Sequence, residues 1–326
     1  MNLPGNPKPK SAKQDSCPYE DLYIYYLQGR LKPEKDIFQD NFIGNWEEEN
    51  FSFLFFSSPA QSDVAKLLGT QSQLTYIDSY HMSYDQWQSE RFTAFHHGKF
   101  CIIPAWESWP DDKHTSNKIG ILLDPGVVFG TGTHPTTCDC LEALEMAAAA
   151  KIPETVLDLG TGTGLLALAA AQLGCKNIIA VDLNLLAAKT ALNNVYVNNL
   201  GKKVLVAQGR AEDFINYPAD LVIANIHFDV MQAVINSEEF LQKERFILSG
   251  LLRSEAKAVT HKLAQYPIKL IKTWTQDGIW HTLYGRRIKK RTSNIERPTS
   301  NIEVKKMNKQ TYVQEESSYN APRNMI

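Results

Sequence analysis

The chain is short of three things, and each shortage narrows what it can be. Its 326 residues hold five cysteines, Cys17, Cys101, Cys138, Cys140 and Cys175. Only Cys138 and Cys140 are close, and one intervening residue is not the spacing of a zinc site. An odd, scattered set excludes a disulfide framework as the organising device, so free thiols in a reducing cytoplasm are expected. No run approaches the ~18 unbroken apolar residues of a membrane helix, and the N-terminus lacks an apolar signal core. A cytoplasmic protein with no membrane partner is therefore expected. Charge of either sign is not in excess: the net value is −2. That removes a global basic field as an argument for a specific nucleic-acid partner.

What remains is an ordinary globular composition, 43% hydrophobic and 21% charged, long enough for one large or two moderate domains. The stretch that organises it is Val156-Leu157-Asp158-Leu159-Gly160-Thr161-Gly162-Thr163-Gly164, followed by the apolar run Leu165 to Ala171. A short apolar run reads as a buried strand, the alternate glycines as a turn and the Leu/Ala run as a helix. Glycine lets such a turn bend sharply and lets a ligand lie against the main chain. Eighteen residues past Gly164 a second apolar run, Asn177 to Val181, ends in Asp182. An acid at that place can accept hydrogen bonds from both hydroxyls of a ribose.

The pair points to a nucleoside cofactor. A dinucleotide fingerprint, G-x-G-x-x-G/A, would need a small residue at Leu165. The spacing here is G-x-G-x-G, and S-adenosyl-L-methionine, which has no diphosphate, tolerates the looser turn. A nicotinamide or flavin, or a glycine turn with no ligand, are the competing readings.

Along the chain, residues 1–18 are rich in Pro and Lys and read as a disordered lead. Residues 19–103 read as a small N-terminal α+β domain. Its strands are Leu22–Leu27, Asn50–Phe56, Leu74–Ile77 and Phe100–Pro104, with a short helix from Ser62 to Leu68. A charged loop at Asp111–His114 opens a linker and cofactor lid over 104–135, including Asp124 to Thr137 (DPGVVFGTGTHPTT). From 136 to 287 strand and helix alternate, then end in Ile268–Trp274 and Ile279–Gly285 around an Asp277-Gly278 hairpin signal. Residues 288–326 read as a disordered basic tail, in which Thr-Ser-Asn-Ile-Glu occurs twice.

A nucleotide-binding parallel sheet closed by an antiparallel hairpin resembles the class I methyltransferase fold, an α/β Rossmann-like sheet. The run DPGVVFGTGTHPTT, the glycine turn, Asn225-Ile226 and Ser249-Gly250-Leu251-Leu252 together resemble the PrmA-type ribosomal protein methyltransferase family, over about Trp87 to Arg287. The resemblance implies S-adenosyl-L-methionine as cofactor, held by residues matching Thr137, Gly160, Asp182 and Asn225, and no metal. It also implies a large-subunit ribosomal protein as substrate, docked by the N-terminal domain; a monomer is a separate expectation. Another protein lysine as substrate, or a module that binds the donor without transferring a methyl, stay open at this stage.

From the residues themselves, Asn225 is expected at the carboxyl end of the fourth strand of the cofactor sheet. Its side-chain oxygen can accept amine hydrogens and aim the nitrogen lone pair at a methyl group. Gly162 belongs to the cradle. Asp158 is expected to bond N–H groups of its own turn or the ammonium of the donor. Phe129 can lie against the donor or pack in the lid. His134 and His227 can relay a proton or simply orient a neighbour. Glu212 and Asp213 follow the third strand, where folds of this kind often contact the adenine amino group, and the choice between them stays open.

Overall fold

The computed structural model describes residues 17–32, 40–89, 91–108 and 118–288. The charged loop at Asp111–His114 and both Thr-Ser-Asn-Ile-Glu copies lie outside these, as do the expected lead and tail apart from Cys17, Pro18 and Ile288.

The chain begins with β1 (Asp21–Gln28), β2 (Phe42–Glu48), β3 (Phe51–Phe56), α1 (Gln61–Thr70) and β4 (Thr75–Ser83). The strands form an antiparallel sheet in the order β2-β3-β1-β4. Tyr25, Leu27, Leu54 and Phe56 bury one side of it against Val64 and Leu67 of α1. The opposite side gives Leu22, Ile24 and Phe55 to a second cluster with Val127, Val128, Leu186 and Ala187. Strand β2 escaped the sequence reading because Gly44, Asn45 and its two glutamates dilute its apolar pattern. It is specified by its partner: Glu48 pairs with Phe51, and Glu49, at φ +52°, makes the tight turn between them.

Next come α2 (Tyr84–Trp87), β5 (Phe95–His97), β6 (Phe100–Pro104) and β7 (Ile119–Leu123). These three strands form their own sheet, β5-β6-β7, with β6 and β7 parallel. Phe100–Pro104 is thus a strand as expected, but it does not join the N-terminal sheet. Its Phe100 and Ile102, with Ile121 and Leu123 of β7, share a core with Leu141, Leu144 and Leu168 of the following helices. Ile121-Leu122-Leu123, within the stretch expected as linker and lid, belongs to β7.

The remainder is α3 (Pro135–Ala150), β8 (Thr155–Leu159), α4 (Leu165–Gln172), β9 (Asn177–Asp182), α5 (Leu185–Val197), β10 (Val204–Gln208), α6 (Ala211–Phe214), β11 (Leu221–Asn225), α7 (Phe228–Asn236), α8 (Glu238–Leu241), β12 (Arg245–Leu252), α9 (Arg253–Leu263), β13 (Ile268–Gln276) and β14 (Trp280–Arg287). Seven strands make one sheet in the order β10-β9-β8-β11-β12-β14-β13. Strands β8 to β12 run parallel, and β14 is antiparallel to both its neighbours. The expected antiparallel ending is present, and Asp277 (φ +52°) and Gly278 (φ +69°) supply the two left-handed residues of its turn. Helix α4 is apolar on every face because it is buried on every face, from Leu165 to Ala171. Helices α3 and α4 cover one side of the sheet, and α7, α8 and α9 cover the other.

The strand order fixes where a ligand can go. From β8 the chain moves outward to β9 and β10, then returns past β8 to β11 and β12. The crossovers diverge at β8, and sheets of this kind take their ligands there, at the carboxyl ends of the strands.

Candidate active site

The ends of five adjacent strands bring the residues together. In register, Gln208 lies beside Asp182, Leu159 beside Val181 and Ala224, and Asn225 beside Ser249. The glycine turn rises from β8 between them. Gly160, Gly162 and Gly164 have φ of +70°, +56° and +86°, which L side chains avoid. A Cβ at Gly160 would stand 2.2 Å from Ile226 Cγ2, and one at Gly162 would stand 2.7 Å from the Phe129 carbonyl oxygen. The turn is therefore pressed between the β11 end and the 124–134 segment, with the backbone itself as the contact surface.

Asp182 closes that turn. Its Oδ2 accepts from the Gly162 N–H and its Oδ1 from the Asn184 N–H, each at 2.9 Å. Burial raises its pKa, and those two N–H donors oppose the rise. Each oxygen keeps a second lone pair for a hydroxyl. Asp158 lies beneath, 1% exposed, and takes the Thr161 hydroxyl at 2.5 Å. The sequence offers it N–H groups of its own turn or the donor's ammonium; the turn contact it makes here is through the Thr161 hydroxyl instead.

Burial, helped by Asp182 and opposed by the Thr161 and Ala167 hydrogen bonds, pushes the Asp158 carboxyl up to about 7. The ordinary value is 3.8, so the folded chain holds this proton more tightly than the unfolded one. The stability it contributes is complete below the unfolded value and is lost as pH rises through about 7. Asp158→Asn should remove that loss. Urea midpoints at about pH 5 and about pH 8 should fall less in the variant than in the wild type. Parallel pH dependence in the two proteins would contradict it.

The 124–134 segment covers the turn and is pinned at several points. Gly130 O accepts the Thr163 hydroxyl at 2.6 Å, and Gly126 O accepts the Tyr84 hydroxyl at 2.7 Å. Asn194, wholly buried in α5, accepts from the Asp124 N–H (2.8 Å) and donates to the Asp124 and Thr163 carbonyls (2.9 Å each). One turn on, Asn198 grips both backbone groups of Leu122. The sequence reading missed both asparagines. Asn194 lies three residues after the buried Ala191, on the apolar stripe of its helix, and a polar residue there was the available signal. Phe129 is 73% exposed and sets its ring edgewise to Trp46 of β2, at 6.0 Å between centroids.

Asn225 is half-buried at the end of β11, and its Nδ2 meets Thr136 Oγ1 at 3.3 Å. Thr136, absent from the sequence candidates, makes this contact. Thr137, its neighbour, is 5% exposed in the first turn of α3 and donates its N–H to the His134 carbonyl at 2.9 Å. His134 caps α3, with Nδ1 2.7 Å from Thr136 Oγ1 and its ring edge-on to Trp280. Burial lowers its pKa. Among the two roles considered for it, orientation of a neighbour is the one its contacts describe. His227 is exposed and faces Asp229 at 3.6 Å, and Glu212 is paired with Arg210 at 3.0 Å. A separate cavity of about 220 Å³, lined by Tyr19, Tyr84, Asp85 and Arg91 among others, has no glycine turn and belongs to a different surface. Among the described residues no group of three His, Cys, Asp or Glu could hold a metal ion, and no helix is long and apolar enough to cross a membrane.

A parallel sheet with diverging crossovers, a G-x-G-x-G turn buttressed by two acids, and an antiparallel hairpin at the end define the class I methyltransferase fold. Within that class the chain belongs to the ribosomal protein L11 methyltransferase (PrmA) family, whose model matches residues 43–288. The match starts well before Trp87, where the likeness read from the sequence began, and takes in β2 to β4. The chain is 36% identical over 181 residues to the ribosomal protein L11 methyltransferase of Anoxybacillus flavithermus, covering 55% of this chain and 57% of that protein. For Geobacillus kaustophilus the identity is 39% over 163 residues, 49% of this chain and 51% of the relative. The chain thus spans about half the length of the curated relatives it matches. A crystal structure of a ribosomal protein L11 methylase from Lactobacillus delbrueckii subsp. bulgaricus superposes with a TM-score of 0.53 at 27% identity, over 60% of this chain and all of that one.

Proposed function

We propose that the protein is an S-adenosyl-L-methionine-dependent protein N-methyltransferase, and that its substrate amines are lysine or N-terminal amines of ribosomal protein L11. The observation that carries the reading is the adjacency of two sites on neighbouring strand ends. A glycine turn closed by Asp182 lies beside Asn225, which presents a side-chain amide at the same strand ends. The resemblance in family and fold supports the donor and the substrate.

The cradle fits the donor by its chemistry. Gly160 and Gly162 let the turn pack against Ile226 and the Phe129 carbonyl, where a Cβ would collide, and the Asp182 oxygens have lone pairs to spare for ribose hydroxyls. Bound there, S-adenosyl-L-methionine supplies a methyl group activated by its sulfonium. Methyl transfer to nitrogen is an in-line displacement, so the protein acts mainly by positioning. A lysine amine, with an ordinary pKa near 10.4, must be neutral to attack. The site disfavours its charged form by desolvation, and the Asn225 oxygen accepts an N–H and directs the lone pair. Thr137, Gly160, Gly162, Asp158 and Asp182 serve the donor, and Asn225 serves the amine and borders the donor.

Two variants separate these roles. Asp182→Ala should weaken donor binding by ~1–3 kcal/mol, with some loss of fold stability because two backbone N–H groups lose their acceptor. Asn225→Ala should lower kcat while leaving donor affinity nearly unchanged. Titration calorimetry with S-adenosyl-L-methionine and initial rates on the protein substrate measure both. If Asn225→Ala loses the donor and Asp182→Ala keeps it, the roles are wrongly assigned.

A further inference from the structure

Thr136 stands between His134 and Asn225, and its contacts have a direction. Its Oγ1 lies 2.7 Å from His134 Nδ1 and 3.3 Å from Asn225 Nδ2. Its own backbone N–H also donates to His134 Nδ1, at 3.3 Å. A ring nitrogen that receives an N–H holds a lone pair there, so His134 is neutral and carries its proton on Nε2. The threonine hydroxyl has one hydrogen, and the shorter contact assigns it to Nδ1. Oγ1 then has only lone pairs to offer Asn225, and the group of Asn225 that faces it must be the NH2. The amide oxygen takes the other side, against Gly250, where a Cβ would come within 3.0 Å of it and where φ is +78°.

The site behind Thr136 is held as well. Its carbonyl lies 3.3 Å from Ser249 Oγ, and Ser249 pairs with Asn225 in the sheet. Ser249 Oγ is 2.6 Å from Thr282 Oγ1, which donates to the buried Asp139 at 3.1 Å. The final hairpin therefore buttresses the first turn of α3, and Thr136 has little freedom to shift.

We propose that Thr136 and His134 are positioning residues for Asn225: the chain from Asn225 Nδ2 to Thr136 Oγ1 to His134 Nδ1 fixes the amide so that its oxygen, and not its NH2, meets the amine. This rests on the role assigned above to Asn225. An amide without the chain can present either end. Presented by its NH2, it places two donors opposite the hydrogens of the incoming amine and cannot orient the lone pair. His134 also caps α3 through the same nitrogen, so one lone pair serves the helix and the site together.

The test uses the whole chain. Thr136→Val keeps the shape and removes the hydroxyl, Thr136→Ser restores it, and His134→Asn offers an amide oxygen where Nδ1 stood. Thr136→Val should lower kcat at least about tenfold with the dissociation constant for S-adenosyl-L-methionine within about twofold of wild type. Thr136→Ser and His134→Asn should retain most of the wild-type kcat. Independently of turnover, nitrogen NMR of the imidazoles should show His134 protonated on Nε2 and unprotonated on Nδ1 at about pH 7.5. Wild-type turnover in Thr136→Val, or a proton on Nδ1, overturns the proposal. A wild-type protein that transfers no methyl to any protein overturns the proposed function instead, and the His134 tautomer then decides the geometry alone.

Discussion

Gly162→Ala is expected to cost about a hundredfold in affinity for S-adenosyl-L-methionine, about 3 kcal/mol. Two separate penalties act at this residue. Its φ of +56° lies in the left-handed region, which costs an L residue roughly 1–2 kcal/mol. The added methyl would also stand 2.7 Å from the Phe129 carbonyl oxygen, closer than a carbon can approach. The contact is with backbone, so no side chain can swing away. Either the turn or the cover must move, and movement of the turn breaks the Gly162 N–H bond to Asp182. Gly278→Ala is the control. Its φ of +69° is similar, yet nothing lies within 4 Å of the added carbon. That variant should lose about 1 kcal/mol of stability and bind the donor as the wild type does. Equal donor affinity in the two variants would show that the cover does not press on the turn.

Asn194→Leu is expected to destabilise the fold by about 3–5 kcal/mol, among the larger effects available to one substitution. The leucine fills similar space on the buried stripe of α5 but takes away the amide that bonds three backbone groups. These are the N–H and carbonyl of Asp124 and the carbonyl of Thr163. Each unsatisfied buried group costs about 1–3 kcal/mol, and the apolar gain of leucine offsets part of it. Because Asn194 joins the root of the cover to the glycine turn, donor affinity should fall with stability. A shift of the urea midpoint equivalent to less than about 1 kcal/mol would mean the clamp is dispensable.

Much of this architecture can be read from the residues, and the failures have physical reasons. The glycine turn, Asp182 and the strand carrying Asn225 announce themselves because local chemistry dictates them: alternate glycines, and apolar runs with a polar terminus. The Asp277-Gly278 turn is legible for the same reason, since two adjacent left-handed residues favour this pair. Strands β2, β5 and β7 are not legible, because pairing and not composition makes them strands. Phe100–Pro104 was read as a strand but placed in the N-terminal sheet, since a lone apolar run does not say which neighbour it pairs with. Within the site, Thr136 and Asn194 stayed hidden because their importance lies in contacts 89 and 70 residues away along the chain. Asp182 illustrates the remaining gap. Its carboxylate was read as a ribose ligand, and the structure adds that it first secures the turn beneath.

The central claim is that the strand-end site transfers a methyl group from S-adenosyl-L-methionine to an amine presented at Asn225. The most direct measurement is intact-mass and peptide mass spectrometry of purified ribosomal protein L11 after incubation with the protein and S-adenosyl-L-methionine, with Asn225→Ala alongside. The expected result is whole-methyl mass increments on lysine or N-terminal amines, dependent on the donor, and strongly reduced with the variant although it still binds the donor. Donor binding by calorimetry with an unmodified L11 mass, or increments that Asn225→Ala leaves undiminished, would contradict the account.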